Sequence, residues 1–408
     1  FFTMKNGLLI LKSYFSGKVL KTIMKYLFQI FTFVLIFSTT TTVAQTYNSY
    51  YNDIVNTVSQ NNILNDLTTF ESYGIKTIGT SALNNTQAWI KGRYQSLGYT
   101  DIVEQAFSYS GGTTNNIIVT KTGTVYPNTY LIIDAHYDTI NGPGTNDNGS
   151  GTVLLMELAR LLKDVDTEYS IKFIHFSGEE PGLIGSNYYV NTTVIPNNLD
   201  ISLIFNIDEV GGVNGLTNDT IVCERDTGSP TSNNAASNAA TTVLANCVGL
   251  YSSLNAEISY AYASDYMPFE ENGEIITGLY EKNETPHGHS STDVLANMDV
   301  AYLTQVTKAS LGAALHFAVG NETLSNDAQE YIAITVYPNP SEGIITIKKS
   351  TVEDLELTLV DVLGKEVYKS IMNTNTQSFD LTFLSKGIYI ALLKSTGSSV
   401  SKKVIINL

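Results

Sequence analysis

Acids and imidazoles able to do chemistry gather in four short stretches of this chain. The first holds His136, Asp138 and Asp147 in a loop that also carries Gly142, Pro143, Gly144, Gly149 and Gly151. The second is Gly178-Glu179-Glu180, the third is Asp208-Glu209, and the fourth runs from His287 and His289 to Asp293. Imidazole nitrogens and carboxylate oxygens are what a divalent ion such as zinc takes as ligands. Where two carboxylates adjoin at a strand end, one can bind metal while its neighbour faces a water, because successive side chains alternate in direction. Histidine is scarce, with five in 408 residues, so two in one loop favour a ligand role. His175 lies in a strand-like run and His316 in an apolar helix, and both read as packing residues. Read blandly, the first loop is a Gly/Asn/Asp turn bonding its own backbone, and Glu179-Glu180 is a solvated acidic turn.

The elements that must position these groups follow from hydrophobic spacing. Residues 131–133 form an apolar strand that leads to His136, and Val153, Met156, Leu158, Leu161 and Leu162 follow at helical spacing. Residues 171–176 and 203–207 are further apolar strands, and they lead to Glu179-Glu180 and to Asp208. Three strand ends thus offer carboxylates, and the crevice outside the carboxyl ends of strands is where an open α/β sheet binds its ligands. Upstream, Ile54, Val58, Leu64 and Leu67 predict one amphipathic helix, and Trp89, Ile90, Arg93, Tyr94 and Leu97 predict another that stops at Gly98. Short strands are expected over 102–107 and 116–120. The fold class is α/β, a three-layer α/β/α sandwich with a central mixed sheet.

A length of 408 residues with 43% apolar content allows two or three domains with real cores. From Met24 the chain reads as a secretory signal peptide, an apolar run over 26–37 followed by small residues and cleavage after Ala44. That run is too short for a bilayer span, which needs about 20 residues, and no later stretch supplies one. Residues 45–333 carry 10 basic and 32 acidic side chains. A body this acidic repels nucleic acid and anionic membrane, and it draws in cations such as metal ions and peptide amino termini. Cys223 and Cys247 could pair in an exported chain or stand as two buried thiols. Neither belongs to a Cys-x-x-Cys pattern, which argues against cysteine-ligated zinc.

The ordered set His136-x-Asp138, Asn146-Asp147-Asn148-Gly149-Ser150-Gly151, Gly178-Glu179-Glu180, Asn206-Ile207-Asp208 and His289-Ser290-Ser291-Thr292-Asp293 resembles the secreted bacterial di-zinc aminopeptidases, relatives of glutamate carboxypeptidase and glutaminyl cyclase. The resemblance spans residues 50–320. It implies two zinc ions per chain, His136 and Asp208 on one, Glu180 and His289 on the other, and Asp147 bridging both. Glu179 would be the general base, and Asp138 would fix the ring of His136. Asp293 would orient the His289 loop, and His287 is the alternative ligand. In Ser264-Asp265-Tyr266 a tyrosine stands where the family usually has histidine, and Gly288 stands where some members have an oxyanion-stabilising tyrosine. Tyr260, Tyr262 and Asp265 are the candidates for substrate or oxyanion contact. The implied activity is removal of amino-terminal residues from peptides. Carboxypeptidase, glutaminyl cyclase and a non-catalytic binding ectodomain are the alternatives.

After about residue 334 the texture changes to short alternating runs over 344–348, 355–360, 367–369, 379–383 and 388–393, separated by turn residues. This predicts a small C-terminal antiparallel β-sandwich. Its Tyr337-Pro-Asn-Pro-Ser-Glu-Gly343 opening and Lys-Lys-Val-Ile-Ile ending resemble the sorting domain of the type IX secretion system of Bacteroidetes. The expected division is a leader over 1–44, a zinc aminopeptidase domain over 45–325, a linker over 326–336 and the sorting domain over 337–408. The implied partners are peptide substrates and the type IX secretion machinery, and the implied destination is the cell surface or the medium.

Overall fold

A computed structural model describes residues 45–110, 112–261, 263–321, 334–349, 354–361, 365–394 and 399–407. The expected signal peptide and Tyr262 lie outside the described residues. Chain contacts define two compact units, Phe1–Glu322 and Thr323–Leu408.

The first unit is built on an eight-stranded sheet. Its strands are β1 (Ile102–Tyr109), β2 (Gly112–Lys121), β3 (Tyr126–His136), β5 (Tyr169–Phe176), β6 (Asp200–Ile207), β7 (Thr220–Arg225), β8 (Asn255–Tyr260) and β9 (Ile276–Glu281), in the order β1-β2-β5-β3-β6-β9-β7-β8. β4 (Asp166–Thr167) pairs apart from this sheet with β10 (Gly320–Asn321). The central strands β5, β3, β6 and β9 run parallel to one another, whereas β2 and β7 pair antiparallel with β5 and β9 on either side, so the sheet is mixed.

Alternation assigns the two faces. Leu131 and Ile133 of β3, Ile171 and Phe173 of β5, and Leu203 and Phe205 of β6 bury into one core, and Ile132, Ile174 and Ile204 bury into the other. The first core is covered by α1 (Ser49–Val55), α2 (Gln60–Ser72), α3 (Ser81–Ser96), α4 (Gly149–Leu162), α6 (Asn234–Tyr251) and α8 (Val300–Phe317). The second is thinner, closed by Tyr189 of α5 (Ile184–Tyr189), Val190 and Val194 just beyond it, and Phe269 of α7 (Met267–Glu271). This is the expected three-layer arrangement. Burial on both faces explains why the central strands read as apolar runs.

One expected helix is two. α1 ends at Val55, and Ser59 starts α2 by accepting from Asn62 N at 3.2 Å. The backbone N–H of Ser59 donates to Glu157 Oε1 at 2.8 Å, a long-range tie that no spacing of Ile54 and Leu64 reveals. α3 ends at Ser96 and is followed by Gly98 with φ +83°, the left-handed residue that glycine supplies. Cys223 and Cys247 are both buried and free, so the disulfide reading is dropped. Among the described residues no helix is long and apolar enough to cross a membrane.

His175 is a core residue, fully buried, with Nε2 2.9 Å from the Tyr94 hydroxyl. Burial holds its pKa down at about 3, so the native ring is neutral where the unfolded one takes a proton. Stability from this group is therefore complete above its ordinary pKa and lost as pH falls toward the depressed one. A His175→Gln chain should gain on the parent by about 1.4 kcal/mol for each unit below roughly pH 6.5. Denaturant unfolding of both chains across that range checks this, and a constant difference would show a charged native ring.

The second unit contains a three-stranded sheet, β11 (Ile334–Tyr337), β12 (Ile344–Lys349) and β15 (Thr376–Asp380), and a four-stranded sheet, β13 (Leu355–Asp361), β14 (Glu366–Met372), β16 (Gly387–Lys394) and β17 (Ser399–Ile406). All pairings are antiparallel, and Ile345, Ile347 and Phe379 of one sheet share a core with Leu357, Leu359, Ala391 and Leu393 of the other. β11 begins at Ile334, so the last residues of the expected 326–336 linker belong to the sheet. The run expected over 379–383 is cut at Asp380, whose carboxylate accepts from Thr382 N at 3.0 Å and turns the chain.

Candidate metal centre and active site

β3, β5 and β6 point the same way, so their carboxyl ends open at one edge of the sheet. His136 is the last residue of β3 and lies opposite Phe176, three residues before Glu179, and Asp208 follows the last residue of β6. The loop between β3 and α4 is drawn onto this edge from several sides. Asn148 caps α4 by accepting from Gly151 N at 2.9 Å, and its Nδ2 donates to Ile207 O at 2.8 Å, tying Asp147 to the end of β6. Asp293 accepts from Asn146 N at 2.8 Å and from Asp147 N at 3.0 Å. Glu281 accepts from Asn146 Nδ2 at 3.1 Å, from Gly212 N at 2.7 Å and from Thr285 N at 2.8 Å. A Cβ on Gly142 would fall 1.8 Å from Ser290 O, so only glycine lets this loop meet the His289 loop backbone to backbone.

Two donor groups result, His136 with Asp147 and Asp208, and His289 with Asp147 and Glu180, each with its ligand atoms within 4.8 Å of one another. His136 Nε2 is 3.3 Å from Asp147 Oδ1 and 3.3 Å from Asp208 Oδ1. His289 Nε2 is 3.0 Å from Asp147 Oδ2 and 3.1 Å from Glu180 Oε2. Asp147 thus turns one oxygen toward each imidazole. Asp208 Oδ1 and Glu180 Oε1 are buried without a hydrogen-bond partner, as oxygens reserved for a cation would be. Two nitrogens and three carboxylates suit zinc, and the shared carboxylate suits a pair of ions.

The electrostatics agree with a cation site. Burial pushes Glu179 up to about 7 and Glu180 up to about 8, with the neighbouring carboxylates adding to it. Burial also raises Asp147, but the hydrogen bonds from His136 and His289 outweigh it and hold that carboxyl well below its ordinary range. The hydrogen bond with Asp147 lifts His289 to about 9. Burial would lower His136, yet the charges of Asp208 and Glu179 raise it well above the usual value.

Glu179 stands apart from the five donors, with Oε2 4.0 Å from His136 Nε2. Asp138 acts differently from the expectation. The ring contact at 3.1 Å is from His136 Nδ1 to the carbonyl of Asp138, while its carboxylate lies 3.8 Å away and accepts from Glu179 N at 3.2 Å and Glu180 N at 3.4 Å. Asp138 therefore sets the backbone that presents both glutamates. Asp293 likewise holds Asn146 and Asp147, the long-range counterpart of orienting its own loop. His287 belongs to neither donor group, and its Nδ1 lies 2.9 Å from Thr292 Oγ1.

The five donors and Glu179 line a cavity of about 530 Å³ with Leu183, Glu209, Glu224, Ser264, Tyr266, Tyr280, Glu284 and Thr285. Its lining holds no lysine or arginine among the described residues. Of the expected substrate contacts, neither Tyr260 nor Asp265 lines this cavity. Tyr260 is exposed at the end of edge strand β8, with Arg225 over its ring at 5.2 Å. Asp265 is fully buried beside the cavity, between the lining residues Ser264 and Tyr266, and neither of its carboxylate oxygens has a hydrogen-bond partner. The cavity's tyrosines are Tyr266, whose hydroxyl donates to Glu224 Oε2 at 2.9 Å, and Tyr280, which hydrogen-bonds Glu209. Spacing gave no signal for Tyr280 or Glu281. Both lie on β9, which the sheet order places beside β6.

Residues 116–314 match Peptidase family M28, and residues 335–407 match the secretion system C-terminal sorting domain. Aminopeptidase YwaD of Bacillus subtilis is 39% identical over 106 residues, which is 26% of this chain and 23% of the relative, so this chain spans about a quarter of that curated relative's length. LapA aminopeptidase of Legionella pneumophila superposes with a TM-score of 0.58 at 21% identity, covering 68% of this chain and 78% of that one. Fimbriiglobus ruber glutaminyl cyclase superposes with a TM-score of 0.53 at 19% identity, covering 63% of this chain and 95% of that one. At such identities these two show a shared fold. By these sequence matches residues 116–314 resemble a peptidase family M28 domain and residues 335–407 a secretion system C-terminal sorting domain.

Proposed function

We propose that this chain is an exported aminopeptidase that uses two zinc ions. The observation that carries the reading is Asp147, whose two oxygens face two different imidazoles, each completed by one further carboxylate. His136 and Asp208 would hold one ion, Glu180 and His289 the other, and Asp147 both. Bound there, the pair would activate water and polarise the scissile carbonyl.

The chain's own groups supply the rest. Glu179 sits beside the donors without belonging to them, and it takes the proton of the attacking water and passes it to the leaving amine. A carboxyl raised toward neutrality suits both steps. Asp138 fixes the turn that aims Glu179 into the cavity. Glu209 and Glu284 line the same cavity; burial first and the charges of Asp147 and Asp208 next push Glu209 up to about 9, so Glu284 is the one of the two that offers a carboxylate to a protonated peptide amino terminus. A carboxypeptidase needs a cation for the terminal carboxylate. Arg93 instead pairs with Asp66, Arg160 with Glu157, and Arg225 bonds Asn238 on the surface. The C-terminal β-sandwich would hand the protein to type IX secretion, which places the activity outside the cell.

Elemental analysis of the purified chain tests this reading. Two zinc ions per chain are expected. One zinc with full activity would move the assignment to a cyclase-like centre.

A further inference from the structure

Four buried side-chain oxygens, on the loop after β7, on the first residue of α6 and on α7, have no hydrogen-bond donor: Asp226 Oδ2, Asn233 Oδ1, Asn234 Oδ1 and Glu270 Oε1. Asp226 is 3% exposed, Glu270 2% and Asn233 5%. The two carboxylates crowd one point of the loop, because a Cβ built on Gly228 would meet Glu270 Oε1 at 2.6 Å and Asp226 Oδ1 at 3.3 Å. Each asparagine is anchored through its nitrogen, Asn233 Nδ2 to Glu274 O at 2.7 Å and Asn234 Nδ2 to Gly228 O at 3.3 Å, which leaves both amide oxygens unspent. The ion pairs that lysine and arginine make among the described residues go to other acids. Buried anionic oxygens without a donor or a counter-charge are costly, and a cation removes that cost.

We propose that the 226–234 loop and α7 hold one calcium ion, with Asp226, Glu270 and the side-chain oxygens of Asn233 and Asn234 as its ligands. The donor set is entirely oxygen, which selects a hard cation over zinc. Calcium accepts irregular shells of carboxylate and amide oxygens, whereas magnesium demands a near-ideal octahedron and keeps its waters. Glu270 is pushed up to about 7, by burial first and by Asp226 beside it, as expected of two carboxylates sharing a site made for positive charge. The consequence reaches the cavity. α7 follows directly on Ser264 and Tyr266, which line it, and Ser264 Oγ donates to Asp208 Oδ2 at 2.7 Å. An ion here would brace that wall against the end of β7.

The test is titration of calcium chloride into the zinc-loaded full chain, read by calorimetry and by melting temperature. Saturable binding of one ion per chain is expected, with a melting temperature that climbs with the logarithm of free calcium. Both should be lost in Glu270→Gln, which preserves shape, and in Asp226→Asn, while magnesium at equal concentration gives the smaller shift. Absence of saturable binding in the parent chain overturns the proposal, as does undiminished binding in both variants. A melting temperature that ignores calcium but rises on acidification from about pH 8 to about pH 6, in the parent and not in Glu270→Gln, would also overturn it, because the carboxyl pair would then share a proton instead.

Discussion

Replacing Glu179 by Gln should lower turnover by about 10²–10⁴-fold, the usual contribution of a positioned proton-transfer group, while zinc content stays unchanged. Gln keeps the volume and the backbone bond to Asp138 but cannot take a proton. The neighbouring position behaves oppositely. Glu180 Oε2 lies 3.1 Å from His289 Nε2, so Glu180→Ala should release one ion of the pair. Steady-state rates and metal content measured on both variants separate the two roles. A Glu179→Gln chain with near-parental turnover would remove Glu179 as the base.

Asp147→Ala should cost both ions at once, because each imidazole faces a different oxygen of that one carboxylate. Loss of an outer-shell partner already weakens metal binding by about 10–100-fold, and loss of a shared ligand should exceed that at both positions. The expected reading is near-zero zinc by elemental analysis at concentrations where the parent is loaded, with activity lost in parallel. Retention of two ions by the Asp147→Ala chain would show that the carboxylate does not bridge.

What could be read from the sequence was local. Residues 131–133, 171–176 and 203–207 announced themselves as strands because burial on both faces makes continuous apolar runs, and the acids just past them marked the sheet edge. The Gly-rich loop and the clustered histidines were legible for the same reason, since unusual residue types at short spacing carry their own signal. Contacts across long separations were not. Asp293 reaches back 147 positions to Asn146, Glu281 reaches 135 to the same residue, and Tyr280 enters the cavity only because β9 pairs with β6. Tyr260 was misplaced because nothing in its neighbours reveals that β8 is the sheet's outer strand. The sequence points to Asp138 as the partner of the His136 ring but not to the atom involved: its carbonyl makes the short contact, a detail set by one backbone turn.

Incubating the zinc-loaded protein with matched peptides that differ only in acetylation of the amino terminus, and weighing the products, tests the central claim most directly. The cavity offers acidic side chains and no lysine or arginine among the described residues, so it should hold a free, protonated amine beside the first peptide bond. Losing one charge-assisted hydrogen bond of that kind is worth roughly 1.5–3 kcal/mol, or about 10–100-fold in rate. The expected result is stepwise loss of single residues from the amino end of the free peptide and cleavage of the acetylated one slower by at least that margin. Equal cleavage of both peptides, or shortening only from the carboxyl end, would contradict it.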